Sequence, residues 1–157
     1  MSIGVSGMIY ADKEDINYKV QLSFYFEQIA NEKKIGSKFG GNVSKEVYNN
    51  YYDLREEYSI IFELLDTPLD NCAQELFAPN MYGSEAISLA HRMQKVQNLI
   101  EMVLNYEQVT KVILDINYLD GIGENIIKID INNFKNAVVK LYEPIGVFPP
   151  VVRLIIE

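Results

Sequence analysis

The spacing of apolar positions changes several times along the chain, and each change marks an element. At the start, Ile3, Val5 and Ile9 share one face at period two with Gly7 between them, the pattern of a strand holding a glycine at a bulge or a close backbone approach. Residues 13–33 carry two patterns at once. Ile16, Tyr18, Val20, Leu22, Phe24 and Phe26 alternate as a strand would, whereas Tyr18, Leu22, Tyr25, Phe26 and Ile29 form a helical stripe. Asp12, Glu14 and Asp15 supply a cap and an acidic first turn, and residues 27–32 have helix-forming composition, so a helix is expected here. Gly36, Gly40 and Gly41 then mark a loop.

Beyond Ser44, the residues Val47, Tyr51, Leu54, Tyr58, Ile61 and Leu65 recur at alternating spacings of four and three. That spacing predicts an amphipathic helix over about 45–66, ended by Pro68. An irregular connection follows to Gly83. Ser84 and Glu85 open a second helix, over about 85–107, whose stripe runs Leu89, Met93, Val96, Ile100 and Val103. After Thr110 the period falls to two, first through Val112, Leu114, Ile116 and Tyr118. It resumes beyond Asp120-Gly121-Ile122-Gly123 through Ile127, Ile129 and Ile131, and the whole predicts a β-hairpin over 111–131. Asn132 and Asn133 stand where caps for a short helix through Leu141 would stand, with Pro144 as its stop. The nearly continuous apolar run over 151–156 reads as a strand covered on both faces. The sum is an α+β fold: a single domain with a mixed or antiparallel sheet of three to five strands, packed against the two long amphipathic helices.

Composition changes this picture only where it bounds partners. With 157 residues, of which 48% are hydrophobic, one core is expected over the whole of 1–157. The net charge is −8, and the cations include only three arginines, Arg55, Arg92 and Arg153. A field of that sign repels phosphate backbones and anionic lipid, so neither nucleic acid nor a membrane is expected as partner, and a basic protein is. The lone cysteine, Cys72, can form no internal disulfide, and no basic segment followed by an apolar run opens the chain, so the cytoplasm is the expected compartment.

Candidate chemistry is sparse. His91 lies within Ala90-His91-Arg92 with no nucleophile or acid held near it by spacing, and it reads as a surface or boundary histidine. The segment Asp120-Gly121-Ile122-Gly123-Glu124-Asn125 lacks the Lys-Ser/Thr of a phosphate loop and the ligand spacing of a calcium loop, which leaves a turn. No cofactor and no metal is implied, and no catalytic residue is assigned.

Two surfaces invite a partner. If Tyr118 pairs with Ile127 in the hairpin, Asp115 lies opposite Asp130, a like-charge pair that a basic group or a cation would relieve. On the helix at 45–66, Tyr48 and Tyr52 stand one turn apart beside Asp53 and Glu56, outside the core stripe. Rigid amphipathic rings flanked by carboxylates suit contact with a cationic protein. The reading is therefore an acidic protein-binding module that occludes a basic partner, for instance an immunity protein neutralising a cationic bacterial toxin such as a nuclease. Two other classes fit less closely. One is a small enzyme or ligand-binding domain with a pocket between helices and sheet. The other is a structural, oligomeric subunit that pairs through the terminal strand as an open edge.

Overall fold

A computed structural model of the chain describes residues 5–13, 15–33, 35–39, 60–65, 89–116, 125–142 and 151–157. Among these, the order along the chain is β1 (Val5–Ala11), α1 (Ile16–Glu32), β2 (Gly36–Phe39), β3 (Ile60–Leu65), α2 (Leu89–Leu104), β4 (Val109–Ile116), β5 (Ile126–Ile129), a 3-10 turn (Ile131–Asn133), α3 (Phe134–Tyr142) and β6 (Val152–Ile156). The strands form one six-stranded sheet in the order β2-β3-β1-β4-β6-β5. Every neighbouring pair is antiparallel except β5 and β6, which run parallel. The fold is α+β, as the periodicities require.

The double pattern of residues 13–33 resolves as helix. Asp15 is the N-cap, its carboxylate accepting from the Asn17 N–H at 2.7 Å, and the acids end at the cap, since the first turn itself carries none. Tyr18, Leu22, Phe26 and Ile29 are buried on one side of α1. The second long helix matches its predicted stripe: Leu89, Met93, Val96, Ile100 and Val103 are all buried. α3 begins at Phe134, after the 3-10 turn, and that turn takes its cap from Asp130, whose carboxylate accepts from the Asn132 N–H at 2.8 Å. An unpaired amide at the start of α3 is satisfied from a distance, the Lys135 N–H donating to Gln97 Oε1 of α2 at 2.8 Å.

All three helices feed one core with one face of the sheet. Register places Ile9, Val112 and Ile156 in one row and Val5, Ile116 and Val152 in another, and these side chains share a cluster with Leu22, Phe26, Val96, Ile100, Phe134 and Val138. The other face is not solvated either. Met8, Tyr10, Ile113, Asp115 and Arg153 on it are buried, and the Lys111 ammonium sits 4.6 Å from the Tyr10 ring centroid, a cation–π contact.

Four expectations are corrected. The hairpin over 111–131 is not formed, because β6 lies between β4 and β5 and pairs with both. β6 buries Val152, Leu154 and Ile156 on one face and Arg153, beside a half-buried Ile155, on the other, and so belongs inside a sheet, whereas the four-residue β5, with Ile126 and Lys128 exposed, suits an edge. β5, α3 and β6 form a strand-helix-strand crossover instead. The helix predicted over 45–66 fails over Ile60–Leu65, which is β3, paired with β1 on one side and β2 on the other. Ile61 and Leu65 satisfy a helical spacing, but they lie in a segment that pairs with a strand on each side and buries Phe62 and Leu64, and that pairing decides the outcome. Finally, β6 is not an open edge, so self-pairing through the terminal strand has no place in this sheet. The sheet also has six strands where three to five were expected.

Candidate functional site

Insertion of β6 replaces the expected pair of carboxylates with an ion pair. Register sets Asp115 of β4 directly opposite Arg153 of β6. Arg153 Nε donates to Asp115 Oδ1 at 2.7 Å and its Nη2 donates to Oδ2 at 3.0 Å, a two-pronged contact between planar groups. Asp115 is 1% exposed. Burial pushes its carboxyl above the ordinary range, and the hydrogen bonds and charge of Arg153 pull it back only in part.

Asp115 therefore faces no Asp130. The two acids are separated by two strand spacings across the sheet and four residues along it, roughly 16 Å at standard strand dimensions. Asp130 is exposed and engaged with the Asn132 N–H. A shared cation, or division of labour as acid and base, is ruled out for this pair by distance. Among the described residues, no three His, Cys, Asp or Glu side chains converge as metal ligands would. His91 is exposed on α2, as expected. Tyr48, Tyr52, Asp53, Glu56 and Cys72 lie outside the described residues.

The structure adds an aromatic cluster that sequence reasoning missed, where the start of α1 meets the turn between α2 and β4. The Tyr106 ring lies 5.8 Å from that of Tyr18 and 4.8 Å from that of Tyr25, both tilted. The Tyr18 hydroxyl donates to the Glu107 carbonyl, and the Tyr25 hydroxyl donates to the Met102 carbonyl at 3.5 Å. The turn passes through Gln108 with a left-handed backbone, φ 73°, and the Gln108 carbonyl accepts from the Asp12 N–H at 2.9 Å. Nothing in sequence flags this cluster, because Tyr18 and Tyr106 are 88 residues apart.

Burial, with lesser contributions from Tyr106, Glu107 and Asp12, pushes the Tyr18 phenol from its ordinary 10.0 up to about 12. Its folded pKa is the higher one, so between these values the unfolded chain loses the proton while the folded chain keeps it. The stability involved is fully present below pH 10 and is lost as the pH climbs through about 12. At about 1.4 kcal/mol per unit, the full loss is at most about 3 kcal/mol, of which about 2 kcal/mol has gone by pH 11.5. Urea unfolding at pH 9 and pH 11.5 should show wild type losing about that much more stability than Tyr18→Phe. Equal losses would mean that the phenol is not held neutral by the fold.

α1 also presents apolar side chains to solvent. Phe24 is 68% exposed and Val20, one turn earlier, 49%. These two residues produced the strand-like alternation in the sequence. No known family, curated protein or solved structure matches the chain. Among the described residues, no helix is long and apolar enough to cross a membrane.

Proposed function

We propose that the protein is an acidic binding module that occludes a basic protein partner in the cytoplasm, with an immunity protein against a cationic bacterial toxin, such as a nuclease, as the concrete instance. One observation carries the reading. The chain bears a net charge of −8, and two of its three arginines, Arg92 and Arg153, are buried. Arginine is the side chain best shaped to grip phosphate in two-pronged fashion, and here most of that capacity is turned inward. The field beyond the surface therefore attracts cationic proteins and repels polyanions. Association would be steered by charge and then held by aromatic anchors, and Tyr48 and Tyr52 with Asp53 and Glu56 have the right chemistry for that role. Asp130 is exposed and can add to the acidic field, whereas Asp115 is spent on Arg153 and cannot.

The test is recovery of partners from a lysate of the source cell at low salt, by immobilised wild type and by a Tyr48→Ala, Tyr52→Ala, Asp53→Lys variant. A single basic protein should be retained by wild type, released by salt and lost in the variant. Its activity should fall when one equivalent of the wild-type chain is added. Retention unaffected by the substitutions would remove this face from the proposal, and recovery of acidic proteins or none would end it.

A further inference from the structure

We infer that the outer stripe of α1, centred on Val20 and Phe24, docks a basic amphipathic helix of the partner. This deepens the binding-module reading and rests on it. At 3.6 residues per turn, Phe24 points about 160–200° away from Leu22 and Phe26, the buried residues two positions to either side. It is thus opposite the core, where a helix that only closed its own domain would carry a polar residue. The stripe runs Asn17, Val20, Gln21, Phe24, Glu27, Gln28 and Asn31, all exposed. It holds one acid and no Lys or Arg, with amides at both ends.

The chemistry of that stripe selects its occupant. A second copy of the chain would bring Glu27 stripes of like sign together and add the mutual repulsion of two chains of net charge −8. An anionic lipid surface is repelled by the same charge. A helix with its own apolar stripe flanked by Lys or Arg meets each feature: the stripe covers Val20 and Phe24, the cations reach Glu27, and the amides Gln21, Gln28 and Asn31 accept hydrogen bonds from them. The net charge of −8 adds long-range attraction to a contact whose apolar part is small.

The probe is a synthetic helical peptide with a leucine stripe flanked by lysines, compared with a scrambled isomer of identical charge. Binding to the full chain is followed by backbone amide chemical shifts and by peptide fluorescence anisotropy at low salt. Shifts centred on α1 are expected, with affinity falling roughly tenfold or more in Phe24→Ser, the loss typical of a truncated aromatic anchor. The scrambled peptide should bind more weakly and without regard to that substitution. The melting temperature of Phe24→Ser should match that of wild type.

Equal binding of both peptides, shifts centred elsewhere, no detectable binding, or a lowered melting temperature in Phe24→Ser would each overturn the docking site. The two readings separate cleanly. If the peptide fails while a basic protein is still retained through the Tyr48 and Tyr52 face, the docking inference alone falls. If neither occurs, the module reading falls with it.

Discussion

Asp115→Ala should lower the stability of the fold by about 3–5 kcal/mol, measured by urea unfolding at neutral pH, because it removes both acceptors of a two-pronged, charge-assisted contact made inside the sheet. Arg153 is 7% exposed, so water cannot replace the two acceptors without opening the sheet. Arg153→Ala leaves the mirror problem, a buried carboxylate without its donors. The intact pair nevertheless adds little to stability. Burial raises the Asp115 carboxyl despite Arg153, so the folded protein binds this proton more readily than the unfolded chain does. Between the ordinary 3.8 and the folded value, stability from this group therefore falls as the pH rises, and ionising Asp115 in place is a cost. Asp115→Leu combined with Arg153→Met should accordingly recover most of what either alanine loses, ending within about 1 kcal/mol of wild type or above it. A single substitution costing under about 1 kcal/mol would show that water reaches the pair.

The pair also explains why a weakly stabilising contact is useful here. The rows beside it, Ile113 with Ile155 and Leu114 with Leu154, join aliphatic side chains that are nearly interchangeable in packing. Asp115 opposite Arg153 gives the β4–β6 ladder a feature that a slipped register would not reproduce, since a slip by one residue would set each charge against an aliphatic side chain. Sequence reading could see neither half of this. It saw Asp115 on a face alternate to Leu114 and Ile116, and inferred solvent, because parity within one strand reports which residues share a face but not what covers it. The same limit produced the hairpin error. Period two identifies β4, β5 and β6 individually, yet a partner 38 residues away, as Arg153 is from Asp115, leaves no local trace.

Elements whose character is set by short-range spacing were legible. α2 is buried along the predicted stripe, α1 is capped by the acid at its mouth, and β6 is enclosed as its apolar run demands. Ile60–Leu65 failed for the complementary reason: an apolar run satisfies both periods, and the choice was made by β1 and β2 rather than by the segment itself. The conflict within residues 13–33 has a different origin. Its strand-like signal came from Val20 and Phe24, apolar residues placed where the helix has no internal use for them.

Gly7 is the position where a single-residue reading of the chain went furthest, and it carries the second large effect. The glycine in β1 suggested a close approach, and a side chain makes that approach: Phe62, directly opposite in β3, lies over it. A Cβ on Gly7 would collide with Phe62 Cζ and stand 2.7 and 2.8 Å from the two Cε atoms, so close that the ring must move. It has little room to do so, being 1% exposed and held 4.7 Å from the Phe26 ring of α1. On backbone preference alone, Gly7→Ala in a strand should gain about 0.5–1 kcal/mol. Overpacking opposes this with roughly 1–3 kcal/mol, so the net effect should be destabilising. Phe62→Leu removes the ring and costs stability by itself, but in that background Gly7→Ala should become neutral or favourable. The coupling between the two sites in a double-mutant cycle, read from urea midpoints, should therefore exceed about 1 kcal/mol. Additive effects would mean that the ring yields freely and that Gly7 is kept for some property of the β1 backbone instead.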